Sequence, residues 1–177
     1  AQIDLWVLEQ TIRDLKQWRA NYPDLRPLLL SVNLSACNLQ LPAFLYNLVQ
    51  VMAQQHLLPD RLRLEITESA LLHDDGPINS ALNDLRHIGV GLSLDDFGTG
   101  YSSLGRLEKL PLDALKIDSS LISQLDKREA PLSEAIIHLA HSLGVKVVAE
   151  GIETASQLRR LRHLGCDYGQ GFYFAAA

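Results

Sequence analysis

Strand-like and helix-like segments alternate about six times along the 177 residues of the chain, with a period of roughly 22 to 32 residues. This alternation predicts an α/β fold with a parallel sheet and right-handed crossovers. The strand-like segments are short apolar runs, which is typical of parallel strands buried on both faces. Polar side chains follow most of these runs, at Asn33, Glu65, Asp95, Asp96, Lys116, Glu150 and Gln170.

A doubly wound sheet and a (β/α) barrel both satisfy the alternation. In a doubly wound sheet, functional groups concentrate at one switch point between two strands. In a barrel, the end of every strand faces one central mouth. Because polar groups follow most of the strands, the sequence favours a modified TIM-type (β/α)8 barrel. About six βα units are present and about 250 residues are usual for this fold, so we expect residues 1–177 to be the C-terminal three quarters of one domain, without its first two strands.

The first half of the chain predicts three helices and two strands. Apolar side chains at spacings of three and four predict the helices, and Pro42 suits a first helical turn while Gly89 suits a helix end. The runs LLLSVNL and LRLEITES predict the strands. The helices cover residues 3–20, 42–57 and 77–88, and the strands cover residues 28–34 and 62–69.

The second half predicts four further strand-like segments and two helices. Both helices stop before a glycine, Gly144 or Gly165, and the strands are apolar runs that end in a charged or polar residue. The helices cover residues 132–143 and 154–164, and the strands cover residues 90–95, 112–118, 145–151 and 166–174.

The stretch over residues 89–104, GVGLSLDDFGTGYSSL, carries the strongest chemical signal. Its apolar run ends in two adjacent carboxylates, Asp95 and Asp96. Neighbouring like charges repel, and each ionised carboxylate resists leaving water. A positive group is therefore expected at this strand end, and a divalent metal is the simplest candidate.

Oxygen ligands follow other strands as well, and together they form the set Asn33, Glu65, Asp95, Asp96 and Glu150. An all-oxygen set suits Mg²⁺ or Mn²⁺ and suits zinc less well. Lys116 is suited to orienting or deprotonating a water, or to stabilising charge on phosphate oxygens. Alternatively, each acid caps the helix that follows it. For the whole set, the spacing favours a metal-dependent hydrolase or phosphotransferase.

The two glycines after the acids, Gly98 and Gly100, are interpreted as hinges of a loop over the site. They do not complete a GxGxxG motif, which argues against a Rossmann site.

Composition narrows the class of protein. The formal net charge of −5 argues against a long nucleic-acid polymer as the partner. No apolar run approaches the roughly 20 residues of a membrane span, and no signal peptide is visible. Two thiols far apart, Cys37 and Cys166, fit a cytoplasmic compartment.

Six segments resemble, in order and at matching spacing, the motifs of the EAL domain family of bacterial cyclic di-GMP phosphodiesterases and their inactive relatives. They are VNLSA (32–36), LEITES (64–69), LSLDDFGTGYSSL (92–104), LPLDALKID (110–118), VVAEGIET (147–154) and GCDYGQGFYF (165–174). The resemblance implies a modified (β/α)8 barrel. It also implies hydrolysis of cyclic di-GMP to linear pGpG with two Mg²⁺ or Mn²⁺ ions.

The same resemblance implies roles for individual residues. The implied metal ligands are Asn33, Glu65, Asp95, Asp96 and Glu150, with Asp95 bridging the two ions. Lys116 would position the attacking water and act in catalysis with Asp95 and Glu150. The residues implied in organising the mouth and its loop, or in supporting the site, are Glu68, Gly98, Tyr101, Ser102, Glu153 and Gln170.

The Glu-Ala-Leu segment that gives the family its name would precede Ala1, on one of the missing strands. We therefore expect the isolated chain to be unstable or inactive. A receptor that binds cyclic di-GMP without cutting it, and a barrel enzyme for another phosphodiester, stay open. The expected partners are cyclic di-GMP, a second copy of the chain, and N-terminal sensory or regulatory domains. The expected location is the cytoplasm, including that of a membrane-anchored parent.

Overall fold

The computed structural model of the chain describes residues 2–22, 28–71, 76–98, 104–126 and 131–175. These residues belong to two compact units. The first unit comprises Ala1–Ile66 and Ala70–Leu92, and the second comprises Thr67–Ser69 and Ser93–Ala177.

The first unit combines helices with two parallel strands. Its elements are α1 (Gln2–Asn21), β1 (Leu30–Asn33), α2 (Ala36–Leu39), α3 (Pro42–Gln54), β2 (Leu62–Thr67) and α4 (Gly76–His87), with a 3₁₀ turn at Pro59–Arg61. The last residue of β2 belongs to the second unit. β1 and β2 pair in register from Leu30 opposite Leu62 to Asn33 opposite Glu65.

The core of the first unit follows the apolar periodicity of its helices. In α1, Leu8, Ile12 and Leu15 recur at spacings of four and three, and all three are buried. This face packs α1 against β1 and α3. The short α2 and α4 contact α3 and each other.

The second unit is built on parallel strands that follow one another in chain order. Its elements are β3 (Gly91–Phe97), α5 (Leu104–Leu107), β4 (Ala114–Ile117), α6 (Ser119–Ile122), α7 (Pro131–Ser142), β5 (Lys146–Ala149), α8 (Ala155–His163) and β6 (Tyr168–Gly169), with 3₁₀ turns at Glu68–Leu71 and Ser123–Asp126. The first two residues of β3 and the last two of the Glu68–Leu71 turn belong to the first unit. β3 pairs with β4, β4 with β5, and β5 with β6.

The α/β prediction is confirmed in type, and the differences lie at element ends and in three short helices. The strand predicted over residues 62–69 ends at Thr67, because Glu68 begins a 3₁₀ turn. The last predicted strand, 166–174, shortens to Tyr168–Gly169. Three short helices were not predicted, since four residues are too few to show a helical period.

Candidate active site

β3 brings two adjacent acids to its carboxyl end. Leu92 and Leu94 are almost fully buried, and Asp95 is 9% exposed. Successive strand residues normally point to opposite faces, but the pairing of β3 with β4 is irregular between Leu94 and Phe97. Asp96 lies inside this irregularity with a φ of 56°, in the left-handed region that Asp tolerates better than most residues.

This bulge places the two carboxylates in one cluster. The backbone N–H of Asp96 donates to Oδ1 of Asp95 over 3.1 Å. One oxygen each from Asp95, Asp96 and Glu150 lies within 4.8 Å of the others. Three acids from the ends of two strands are therefore close enough to share a cation.

β4 contributes a buried ammonium group to the same cluster. All four residues of β4 are buried, and Lys116 is 6% exposed. Its Nζ lies 2.9 Å from Oδ1 of Asp95 and 2.7 Å from Oε1 of Glu150. An unpaired buried charge is strongly disfavoured, and the two carboxylates supply opposite charge to this lysine and hold it in one orientation.

Glu150 receives a second donor from the segment after β6. Nε2 of Gln170 donates to Oε1 of Glu150 over 2.6 Å. Gly171 allows the backbone to approach Ile152 closely at this point, because a Cβ on Gly171 would lie 2.3 Å from the backbone N and O of Ile152. The amide of Gln170 and the ammonium of Lys116 therefore fix the same carboxylate oxygen.

The acids of the cluster do not all ionise easily. Burial raises the pKa of Asp96 above its ordinary value, and the nearby carboxylates of Asp95 and Asp118 raise it further, while Lys116 offsets part of the effect. Asp118 was not among the predicted site residues. Its side chain accepts from the N–H of Ser120 at the start of α6. The pKa of Asp118 is lowered mainly by hydrogen bonding from the Ser120 side chain, and the Ser120 N–H lowers it further.

Glu68 meets the loop that follows the two aspartates. Glu68 is 4% exposed, and its Oε2 accepts from the N–H of Gly98 over 3.2 Å. Its buried Oε1 has no hydrogen-bond partner among the described residues. Gly98 has a φ of 98°, and a Cβ there would lie 2.5 Å from Cδ1 of Leu121. Only glycine fits this position without strain. Gly100, the other predicted hinge, lies outside the described residues.

The contacts described above do not include three other predicted residues, Tyr101, Ser102 and Glu153. Tyr101 and Ser102 fall outside the described residues. Glu153 is exposed, and its backbone N–H donates to Oε1 of Gln157 next to the capping box that begins α8.

Asn33 and Glu65 lie side by side at the end of the strand pair in the first unit. They occupy the same register position of β1 and β2, so their side chains leave the same face of the sheet. The pairing continues one residue further, because the N–H of Leu34 donates to the carbonyl of Glu65 over 2.8 Å. Glu65 is 9% exposed and Asn33 is exposed.

The model of the family described as the EAL domain matches residues 1–177. The chain belongs to the EAL domain family. It is 42% identical over 177 residues to the cyclic di-GMP phosphodiesterase NbdA of Pseudomonas aeruginosa, and 39% identical over 175 residues to the oxygen sensor protein DosP of Escherichia coli. Each alignment covers 98% of this chain and 22% of the relative, so the chain spans about a fifth of either protein.

A solved structure confirms the predicted fold class. The PaMucR phosphodiesterase in complex with c-di-GMP is 37% identical, with a TM-score of 0.90 over 99% of this chain and 71% of that chain. At this level of similarity, the EAL domain described here has the TIM-type barrel architecture that its alternating strands and helices predicted. Within the described residues, no helix combines the length and apolar character that crossing a bilayer requires.

The structure gathers the predicted site residues of this EAL domain into two groups. The second unit holds Glu68, Asp95, Asp96, Gly98, Lys116, Glu150, Glu153 and Gln170. Among these, Asp95, Lys116, Glu150 and Gln170 form one chain of contacts. The first unit holds Asn33 opposite Glu65. That both groups bind the same ions stays a prediction.

The cluster in the second unit has the chemistry of a hard-cation site. Its donors are all carboxylate oxygens, the ligands that Mg²⁺ and Mn²⁺ prefer. Burial is the main cause of the raised pKa of Asp96, and repulsion from the carboxylates of Asp95 and Asp118 adds to it. A divalent cation would relieve this repulsion, so the residues fit the metal that the family resemblance implies.

Proposed function

We propose that this EAL domain hydrolyses one phosphodiester of cyclic di-GMP and releases linear pGpG, with two Mg²⁺ or Mn²⁺ ions as cofactors. The observation that carries the proposal is the buried ammonium of Lys116 between the carboxylates of Asp95 and Glu150, beside a third acid, Asp96. The family adds support, since NbdA is named a cyclic di-GMP phosphodiesterase and PaMucR was solved with c-di-GMP.

Five oxygen donors would hold the ions in this proposal: Asn33, Glu65, Asp95, Asp96 and Glu150. Two divalent ions would supply charge neutralisation and a water of lowered pKa for in-line attack on phosphorus. Asp95, whose neighbour Asp96 stands in the same cluster, would be the ligand shared by both ions.

Lys116 would orient the attacking water and stabilise charge on the phosphate oxygens. Its position suits both tasks, because the two short contacts to Asp95 and Glu150 leave its Nζ little freedom. Gln170 would act on Glu150 by fixing the direction of the carboxylate through its 2.6 Å hydrogen bond. A group preorganised in this way needs no rearrangement at the moment of reaction.

The remaining predicted residues would shape the mouth. Glu68 binds the Gly98 N–H, and Tyr101 and Ser102 follow Gly98 in the sequence. We assign these residues to loop organisation and to coupling with a second copy of the chain. Glu153 would support the site from the segment that starts α8.

The wider setting of the domain is also part of the proposal. We propose that the domain works as a homodimer in the cytoplasm, in a protein that also carries sensory or regulatory domains. The chain spans 22% of DosP, which is named an oxygen sensor protein, and this supports the fused regulatory domain. The homodimer and the cytoplasmic location rest on the family resemblance.

The direct test measures cyclic di-GMP hydrolysis with Mn²⁺ in the natural protein that carries this chain, with pGpG resolved by chromatography. We expect Asp95→Asn and Lys116→Ala each to remove nearly all turnover. Asp60→Asn and Lys146→Ala are matched controls, because both residues are exposed and their ion pairs, with Arg61 and Asp167, involve no residue of the cluster. Normal rates in either cluster variant would refute the assigned roles.

The same experiment separates the proposal from its rivals. Tight binding of cyclic di-GMP without pGpG from the wild-type protein would identify a receptor. Thermal protection by a different nucleotide, with none by cyclic di-GMP, would point to another phosphodiester. The joint presence of Asp96 and Lys116 favours the enzyme, since a receptor has little need of both.

A further inference from the structure

A carboxylate of α1 reaches the segment that follows β1. Oδ2 of Asp4 accepts from the N–H of Ser35 over 2.9 Å and from its hydroxyl over 2.7 Å. The same oxygen accepts from Nδ2 of Asn38. One acid in the first turn of α1 thus binds three donors that lie more than 30 residues away in the chain.

These bonds are strong enough to overcome burial. Partial burial by itself would raise the pKa of Asp4, yet the bonds from Ser35 and Asn38 bring it below its ordinary value. Asn38 is fully buried, and its Nδ2 also donates to the hydroxyl oxygen of Ser35 over 3.0 Å. The three side chains therefore form one network centred on the charge of Asp4.

The network replaces an ordinary helix start. Ser35 is the N-cap residue of α2, where a serine hydroxyl usually accepts from a backbone N–H of the first helical turn. Here the side chain of Ser35 makes no capping bond, and its hydroxyl donates to Asp4 instead. The path of the chain between β1 and α2 is consequently set by α1.

That path begins at Asn33, two residues before Ser35. On one side, β2 holds the strand end through the Leu34 N–H and the Glu65 carbonyl, 2.8 Å apart. On the other side, Asp4 holds Ser35 by both its backbone and its side chain. The two residues that follow Asn33 are therefore both held in place, Leu34 by β2 and Ser35 by α1.

We propose that Asp4 is a positioning residue for metal binding: by anchoring the segment after β1, it fixes the orientation in which Asn33 offers its amide oxygen to a divalent cation. The inference rests on the proposed function, in which Asn33 is a metal ligand. Partners behind metal ligands typically change metal affinity by about 10–100-fold when they are removed.

The test titrates Mn²⁺ into the natural protein that carries this chain and follows the loss of the free-ion signal by electron paramagnetic resonance. Asp4→Asn keeps the shape of the side chain and removes its charge. We expect the Mn²⁺ dissociation constant to rise about tenfold. The matched control is Asp14→Asn on the same helix, since Asp14 accepts only a local bond from Gln10 among the contacts seen in α1. The control should bind Mn²⁺ as the wild type does.

A purely structural role for Asp4 would give a different result. In that case Asp4→Asn would lower the melting temperature of the metal-free protein and leave the Mn²⁺ dissociation constant unchanged, which would overturn the proposal. Ser35→Ala provides a milder second variant, because it removes the hydroxyl and keeps the backbone N–H bond to Asp4. Its effect on Mn²⁺ affinity should be smaller than that of Asp4→Asn and should not add to it in the double variant.

Asn33→Ala distinguishes failure of this inference from failure of the proposed function. Unchanged Mn²⁺ affinity in Asn33→Ala would remove Asn33 from the proposed ligand set, and the positioning role of Asp4 with it. Weakened affinity in Asn33→Ala together with normal affinity in Asp4→Asn would refute the positioning role alone.

Discussion

The strands of the second unit carry a cluster of charged and polar side chains at each end, and the two clusters differ in their balance of acids and donors. The carboxyl-end cluster consists of Asp95, Asp96, Lys116, Glu150 and Gln170. The amino-end cluster consists of His141, Lys146 and Asp167. In the first, three acids compete for one ammonium group. In the second, one acid collects several donors.

The pKa values of Asp96 and Asp167 are shifted in opposite directions. At the carboxyl end, burial and neighbouring carboxylates raise the pKa of Asp96. At the amino end, burial would also raise the pKa of Asp167, but Lys146, the Val147 N–H and His141 outweigh it and lower the pKa to about 2. The amino-end cluster therefore stabilises the fold. The carboxyl-end cluster is electrostatically unfavourable, and it lies at the end of the strands where barrel enzymes have their active sites.

The largest expected effect is that of removing the ammonium group at the carboxyl end. Lys116→Met should lower turnover of cyclic di-GMP at least about 100-fold, because it removes a group proposed to orient water and stabilise phosphate charge. Lys146→Met is the matched control, since it makes the same substitution at the other end of the sheet, on a side chain that is 58% exposed. Steady-state rates at saturating Mn²⁺ provide the measurement. Equal losses of turnover in the two variants would show that the two ends of the sheet do not differ in function.

The second effect is on stability. Asp167→Asn should lower the free energy of unfolding at pH 7 by about 1–2 kcal/mol, with turnover unchanged. Because the folded-state pKa of Asp167 is lowered, its contribution is present above the ordinary value of 3.8 and is lost as the pH falls towards about 2. Urea unfolding between pH 2 and pH 7 should therefore show the variant and the wild type converging at the acid end.

The control for this change is Asp60→Asn. Asp60 is exposed and lies 3.7 Å from Arg61, so the same substitution there should be close to neutral. A stability difference between Asp167→Asn and the wild type that stays constant down to pH 2 would show that shape, and not ionisation, is responsible.

The members of the carboxyl-end cluster could be predicted from the sequence, and those of the amino-end cluster could not. Asp95, Lys116 and Glu150 each follow or interrupt a short apolar run, so strand topology alone predicts that they meet. His141, Lys146 and Asp167 come from a helix, a strand start and a loop, with no shared spacing to link them. The contacts of Asp4 could not be predicted either. An acid is favourable in the first turn of any helix, so its presence there does not indicate a distant partner.

The bulge in β3 marks another limit of sequence reasoning. An alternating strand would send Asp95 and Asp96 to opposite faces, and only the irregular pairing beyond Leu94 brings both into one cluster. The two adjacent acids indicated an unusual site at the end of this strand, but the backbone conformation that brings their carboxylates together is set by the tertiary structure.

The third effect concerns the amide at the carboxyl end. Gln170→Ala should lower turnover about fivefold, since it removes one hydrogen bond of about 1 kcal/mol to Glu150 and leaves Lys116 in place. Gln124→Ala removes a comparable surface amide, whose Nε2 donates to the Ser120 carbonyl, and should leave turnover unchanged. Thermal unfolding of both variants should stay near that of the wild type. A loss as large as that of Lys116→Met would mean that Gln170 contacts the reacting groups directly.

The smallest effect lies at the rim of the amino-end cluster. His141→Gln should lower the free energy of unfolding by about 0.5 kcal/mol, because Nε2 of His141 lies 2.9 Å from Oδ2 of Asp167 but the ring is 38% exposed. Asp167 keeps Lys146 and the Val147 N–H in this variant, so most of its stabilisation survives. His138→Gln, one turn earlier on α7, is the control, since His138 lies 3.9 Å from Glu134 and is 71% exposed. Urea midpoints at pH 7 should rank the wild type and His138→Gln together, His141→Gln slightly below them, and Asp167→Asn lowest. If His141→Gln fell below Asp167→Asn, the imidazole and not the carboxylate would be the centre of the amino-end cluster.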